Sequence, residues 1–395
     1  MEQSFIPLSV PNLKGNELKY VTEAIQSEWV STGGKFIIDF EQKISEYVGT
    51  CGATACQSGT AGLHLSLKVC GIGQGDEVIV PTLTFIAAVN PVKYVGANPV
   101  FMDCDNTLNI DCDKVERFLS TQCEIVEGVT VNKKTKAIVK GIIVVHVFGN
   151  IANMKRIIEI AKKFNLKVIE DATEALGSYY ESGAFKGCFA GTIGDIGVYS
   201  FNGNKIITCG GGGMVVSHNK EYLRHAKYLS TQAKDDDINF LHGAIGYNYR
   251  MTNLQAAVGL AQLECLEDFI EKKKKNYYQY KKRINQLSFL KMMEFEPEVR
   301  PNYWFYSVLF KNATSGIEKQ IEYMMSNRIQ TRPIWGLIHE QTPYKKSQSY
   351  MIEKASYYRK RILNIPCSSS LEEKDIVRVL NALEEIVEKT NAICV

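Results

Sequence analysis

No CxxC pair occurs anywhere in the chain, and its eleven cysteines are scattered. A zinc site wants paired cysteines or histidines at short spacing, so no metal centre is expected. An odd cysteine count in a chain of 395 residues also speaks against a disulfide framework. No apolar run approaches ~18 residues, so no membrane-spanning helix is expected. The N-terminus, "MEQSFIPLSVPN", lacks the basic and apolar regions of a signal peptide. The chain therefore reads as cytoplasmic, with reduced thiols. Excess charge is also missing: the net value is +3, too small for a nucleic-acid partner or an anionic membrane surface. The densest basic run, "EKKKKNYYQYKKR" at 271–283, has helical spacing and reads as a solvated helix face. Internal repeats and low-complexity segments are absent as well.

What is present is the make-up of a globular protein, with 45% hydrophobic and 23% charged residues. At roughly 100–200 residues per domain, the length allows two or three domains. From about residue 50 to 215, helical and strand-like patterns alternate. Residues 60–70 have helical spacing, 76–81 and 99–103 read as strands, and 136–149 carry a β-branched run. An amphipathic helix at 152–165 returns to a strand at 166–171. Such alternation predicts an α/β fold with a mostly parallel sheet flanked by helices. Further on the pattern changes. A basic helix at 255–286 leads to a strand at 302–310, a helix near 316–327 and a last helix at 371–390. We expect a large domain over 1–265, and a smaller α+β C-terminal domain over 266–395.

Ligands in parallel sheets sit beyond the carboxyl ends of the strands. Asp171 closes "KVIED". Strand "VYSF" passes Ser200, and Lys205 follows in a polar turn backed by four glycines, Gly210 to Gly213. "ACQSGTAGLHLSL" sets Ser58, Gly59 and Thr60 at the mouth of a helix, where N–H groups and hydroxyls suit a phosphate. "PTLTFIAAVN" places Phe85 after another strand. Nucleotide loops fit poorly. Ile206 follows Lys205 where GxxxxGK[ST] demands a hydroxyl, "GGGGMVVS" runs into a strand, and "GIGQG" at 71–75 turns from helix to strand. A lysine, a strand-end aspartate, a phosphate cup and an aromatic match the needs of pyridoxal phosphate. The amine binds the aldehyde, and the carboxylate keeps the pyridine nitrogen protonated. Each residue also has a plainer reading. Asp171, Ser58 and Thr60 can cap helices. Ser200 can be a strand-end hydroxyl, Phe85 a core residue, Glu174 a solvated helix residue and Asn248 a turn residue. His339 can sit in a surface loop, and Arg250 in an ion pair. His146, in "IIVVHVFG", reads as a satisfied core histidine.

Six stretches carry a resemblance. They are "WVSTGGKFIIDFE" (29–41), "SGTAGLHLSL" (58–67), "VIEDATEALGS" (168–178), "SFNGNKIITCGGGGMV" (200–215), "GYNYRMTNLQAAVGLAQL" (246–263) and "TRPIWGLIHEQTPY" (331–344). In order and spacing they resemble the DegT/DnrJ/EryC1/StrS family of sugar aminotransferases, fold type I pyridoxal phosphate enzymes, over nearly the whole chain. The resemblance implies pyridoxal 5'-phosphate as cofactor, a nucleotide-sugar substrate and glutamate as amino-acid donor. It puts Lys205 at the Schiff-base lysine, Asp171 at the pyridine-nitrogen aspartate and Phe85 at the ring-stacking aromatic. Gly59, Thr60 and Ser200 fall at phosphate positions. It also implies a homodimer with shared active sites, in which Asn248 reaches the phosphate of the neighbouring subunit. Thr32 and Gly33, with His339 and Arg250, are the candidate substrate contacts.

One position departs from the family pattern. Glu174 stands where relatives often have His or Gln near the cofactor's phenolic oxygen. A carboxylate there repels a phenolate unless a proton is shared. The "DATE" sequence is similar to that of legionaminic-acid and bacillosamine-type enzymes. This implies a 4-keto-2-acetamido-2,6-dideoxyhexose on UDP or GDP. The alternatives are a sugar 3-aminotransferase, a sugar dehydratase on the same scaffold, or a non-catalytic cofactor-binding regulator. Dehydratase relatives replace the lysine with histidine, so Lys205 argues against that reading. The intact lysine and aspartate argue against the regulator.

Overall fold

A computed structural model describes residues 4–236, 238–313 and 316–393. The aliphatic runs form one eight-stranded sheet. Its strands are β1 (Ala53–Cys56), β2 (Glu77–Pro81), β3 (Asn98–Met102), β4 (Val139–Val145), β5 (Lys167–Asp171), β6 (Ile196–Ser200), β7 (Gly213–Val216) and β8 (Ser349–Tyr350). They lie in the order β1-β7-β6-β5-β4-β2-β3-β8. Only β7 runs against its neighbours; the other pairings are parallel. The middle strands are buried on both faces, which is why they read as continuous apolar runs rather than alternating ones.

Helices cover the sheet. Helix Met154–Lys163 starts at Asn153, whose Oδ1 accepts from the Arg156 N–H at 3.2 Å. It buries Met154, Ile157, Ile160 and Ala161, one stripe at helical spacing. Each large apolar side chain buried this way is worth about 1.5–3 kcal/mol. An aspartate at Ile157 would break that face.

After residue 265 the chain builds a second, antiparallel sheet from Leu290–Met292, Tyr306–Phe310, Ile362–Ile365 and Arg332–Pro333, in that spatial order. The N-terminal segment is tied to this region: Ile6 bridges Ile329, and the Val10 N–H donates to Ser368 Oγ at 3.0 Å. In return β8 crosses to the edge of the large sheet. Two elements differ from expectation. The basic helix is two helices, Asn253–Glu264 and Leu266–Ile284, with Cys265 between them. The first packs on helices Glu17–Gln26 and Lys35–Val48, the second on Glu373–Ile393, so the chain turns at Cys265 to serve both. The strand expected at 302–310 begins only at Tyr306. Among the described residues no helix is long and apolar enough to cross a membrane.

Candidate active site

Side-chain alternation along β5 sends its two terminal acids to opposite faces. Glu170 accepts from His146 Nε2 at 2.8 Å and from the N–H groups of Gly191 and Ile193 at 2.9 and 2.6 Å. The other nitrogen of His146 accepts from the Ala152 N–H, so this fully buried ring is satisfied on both sides. Asp171 instead lines a cavity of about 490 Å³ at the carboxyl edge of the sheet. Burial pushes its carboxyl above the ordinary value, and the Thr173 N–H, donating to Oδ1 at 3.1 Å, opposes that rise.

Lys205 enters the same cavity from the turn after β6. Its Nζ stands 4.0 Å from Glu174 Oε1 and 4.2 Å from the centre of the Trp304 ring. Burial lowers the basicity of the amine, against the pull of Glu174 and Asp171. Glu174 is pushed up to about 7 by burial, against Lys205 and the Phe148 N–H that donates to Oε2 at 2.8 Å. That N–H belongs to a residue in the left-handed region, at φ 56. Such a conformation costs on the order of 1–3 kcal/mol and persists only where the surroundings enforce it.

The third wall is the start of helix Gly59–Val69. Ser58 caps it, with Oγ accepting from the Ala61 N–H at 3.1 Å. A Cβ on Gly59 would stand 2.9 Å from Thr173 Cγ2 and 3.0 Å from Ser200 Cβ. Bare backbone is what lets the helix end meet the ends of β5 and β6. Of the four glycines behind Lys205, Gly213 serves the same junction, and Gly212 serves a left-handed turn of the backbone. Gly212 sits at φ 137, and a Cβ on Gly213 would meet the carbonyl carbon of Ser58 at 2.5 Å.

The resulting cradle, a helix N-terminus with the hydroxyls of Thr60 and Ser200 on the same cavity, suits a phosphate. Lys205 suits an aldehyde, and Asp171 a protonated ring nitrogen. Phe85 stands at the cavity with 55% of its surface open, a ring free to cover another ring. The residues present therefore fit pyridoxal phosphate. Among the described residues no cluster of His, Cys, Asp or Glu is arranged to hold a metal ion.

Ser58, Gly59, Thr60, Phe85, Asp171, Glu174, Ser200 and Lys205 all line this one cavity. Thr32, Gly33, Asn248, Arg250 and His339 do not. The segment holding Thr32 and Gly33 is clamped by Asn253, which donates to the Trp29 carbonyl at 2.6 Å and accepts from the Phe36 N–H at 3.0 Å. His339 Nδ1 lies 2.6 Å from Thr82 Oγ1, just past β2. Asn248 is exposed and bridges Thr231 through its backbone. The buried Nε of Arg250 has no hydrogen-bond partner among the described residues.

Sequence reasoning missed an aromatic wall: Trp304, Phe305 and Trp335 also line the cavity. The late start of the strand leaves residues 302–305 free to cross to Lys205. There Trp304 Nε1 donates to the Asn204 carbonyl at 2.7 Å. The available signal was Asn302, since an asparagine opening an aromatic run marks a turn.

A mainly parallel sheet with a lysine, an aspartate and a helix-end cradle at its carboxyl edge defines a fold type I pyridoxal phosphate enzyme. Comparison with known proteins narrows the class. The model of the DegT/DnrJ/EryC1/StrS aminotransferase family matches residues 11–384. The chain is similar to the GDP-perosamine synthase of Escherichia coli O157:H7, 39% identical over 382 residues, which cover 96% of this chain and 98% of that protein. It is also similar to the GDP-perosamine synthase of Caulobacter vibrioides, 37% identical over 388 residues, covering 97% and 98%. A solved DegT/DnrJ/EryC1/StrS aminotransferase from Brucella abortus superimposes with a TM-score of 0.85 at 26% identity, over 94% of this chain and 95% of that one. The chain belongs to the DegT/DnrJ/EryC1/StrS aminotransferase family. It is a pyridoxal phosphate-dependent nucleotide-sugar aminotransferase, an enzyme of amino-sugar biosynthesis.

Proposed function

We propose that the enzyme aminates the 4-keto group of a GDP-linked deoxysugar, with glutamate as amino donor. The observation that carries this reading is the end-to-end similarity, at 39% identity, to a protein named GDP-perosamine synthase. The expectation drawn from "DATE" was a 4-keto-2-acetamido-2,6-dideoxyhexose on UDP or GDP, and its UDP-linked form is the second reading. The two separate in a panel of keto sugar nucleotides incubated with nitrogen-labelled glutamate. Label should enter the amino sugar from the GDP-linked 4-keto substrate. Turnover of only a UDP-linked 2-acetamido sugar, or of a 3-keto sugar, would overturn the GDP reading.

Pyridoxal phosphate, when bound, supplies the electron sink that makes a C–H bond beside nitrogen acidic. The protein's own groups do the rest. Thr60, Ser200 and the N-terminus of helix Gly59–Val69 hold the phosphate. Asp171 holds a proton at the pyridine nitrogen, and a cation at that point offsets the cost of burying the carboxylate. Lys205 would hold the cofactor through Nζ, and the same amine, when free, would move the proton that completes the new amine. Phe85 would cover the cofactor's ring and exclude water. Fixing acceptor and base in one cleft supplies the orientation term.

The working unit in this reading is a homodimer with shared sites. Asn248 lies off its own chain's cavity, on an exposed loop. That loop also carries Ile238 and Ile245, each 86% exposed, apolar surface suited to a second copy of the chain. Asn248 then reaches the phosphate of the facing site, and Thr32, Gly33, Arg250 and His339 contact the sugar nucleotide. The cytoplasm fits, since the described cysteines are free thiols.

A further inference from the structure

The geometry around Nζ of Lys205 carries one step more, resting on the reading that this lysine holds the cofactor. We propose that Trp304 and Glu174 form a two-sided seat for the free amine of Lys205, keeping it in the cavity while the cofactor carries the amino group. The amine lies 4.2 Å from the centre of the Trp304 ring on one side and 4.0 Å from Glu174 Oε1 on the other. A ring face and a carboxylate both attract an ammonium group.

Both sides of the seat hang on one fully buried residue. Asn302 Oδ1 accepts from the Trp304 N–H at 3.0 Å, and its Nδ2 donates to the Glu174 carbonyl at 2.9 Å. The indole N–H is tied to the carbonyl of Asn204, the residue before Lys205. The ring is thus positioned by the same turn that presents the lysine. The charged groups facing the amine are Glu174 and Asp171, and those facing Glu174 are Lys205 and Asp171. Burial disfavours the protonated amine, and the seat counters that with the attraction of the Glu174 carboxylate on one side and of the Trp304 ring face on the other. Trp304 and Glu174 are positioning residues, since they act through Lys205.

Competitive labelling reads the seat without measuring turnover. The full chain, freed of cofactor, is treated with acetic anhydride from neutral to alkaline pH. Modification of Lys205 is followed by peptide mass spectrometry, with the exposed Lys35 as standard. Wild-type Lys205 should titrate below the ordinary lysine value. Glu174→Gln should lower the half-labelling pH by about 1 or more. Trp304→Leu should lower it by about 0.5–1 and speed labelling several-fold, and Trp304→Phe, which keeps a ring face, should restore the wild-type midpoint. An unmoved midpoint in Glu174→Gln, with melting intact, overturns the seat. A midpoint that moves as far in Trp304→Phe as in Trp304→Leu overturns the part given to the ring face. If Trp304→Leu does not fold, Glu174→Gln alone decides. These outcomes are independent of which sugar is aminated. Failure of the Lys205 reading itself would show separately, as cofactor fixed by borohydride to a different lysine.

Discussion

Lys205 and Lys273 are both withdrawn from water, one at the edge of the large sheet and one inside the C-terminal region. The Lys205 side chain is 13% exposed and Lys273 is 3% exposed. Burial lowers the basicity of both amines. Each lies near an aromatic ring, at 4.2 Å for Trp304 and 5.5 Å for Tyr306. The difference is in what else they face. Lys273 donates to the backbone carbonyl of Cys367, and no carboxylate pairs with it among the described residues. Lys205 opens onto a cavity and feels the charges of two acids, Glu174 and Asp171. A depressed amine is therefore not enough to mark a reactive lysine. The cavity and the acids are what set Lys205 apart as the proposed reactive lysine.

Four experiments would break or sharpen that contrast. The largest effect is expected at the two lysines themselves. Lys205→Ala should cut turnover by about 10⁴-fold or more. Lys273→Met should leave turnover within about twofold, yet lose about 1–3 kcal/mol of stability, because the Cys367 carbonyl loses its donor. Steady-state transamination and thermal melting measure both, and an equal loss of turnover in the two variants would erase the distinction.

Next comes Asp171, the acid that has no counterpart beside Lys273. Asp171→Asn should keep the cofactor but lower turnover by about 10²–10³-fold, as expected when a placed charge is removed. Near-normal rates would refute its role.

Glu174 gives a pH-dependent effect. In the folded chain it holds its proton until about pH 7, against an ordinary value near 4.5. Between those values the folded chain binds the extra proton, so its contribution falls as pH rises and is gone above about 7. In cofactor-free protein, Glu174→Gln should match wild type in acid and exceed it above neutrality, by up to about 3 kcal/mol. Melting across pH tests this, and a gap that narrows as pH rises would contradict it.

The smallest effect belongs to Asn248. One hydrogen bond to a phosphate is worth about 1.5–3 kcal/mol, so Asn248→Ala should weaken cofactor retention without abolishing it. Mixed with Lys205→Ala under subunit exchange, it should regain activity above either parent, because one site of the hybrid carries neither defect. Exchange without recovery would return Asn248 to the role of a turn residue.

The parallel sheet and its strand-end residues were legible because each announces itself locally. β4 is a β-branched run, Asp171 closes an apolar strand, and Ser58 precedes a helical pattern. Trp304 was not legible. Its place over Lys205 depends on a crossing between two sheets and on a hydrogen bond to Asn204, about a hundred residues away. The break at Cys265 was hidden for a similar reason. Helical spacing continues through it, and only the different packing partners on either side turn the chain. Glu174 was visible as a departure from the family pattern, but its partner, the strained Phe148 N–H, arises from the loop after β4.

Reducing the holoenzyme with borohydride fixes the cofactor to whichever amine carries it, and peptide mapping then names that residue. The label should fall on Lys205 alone and vanish in Lys205→Ala. A label on Lys273, or on any other lysine, would contradict the assignment of the cavity as the active site.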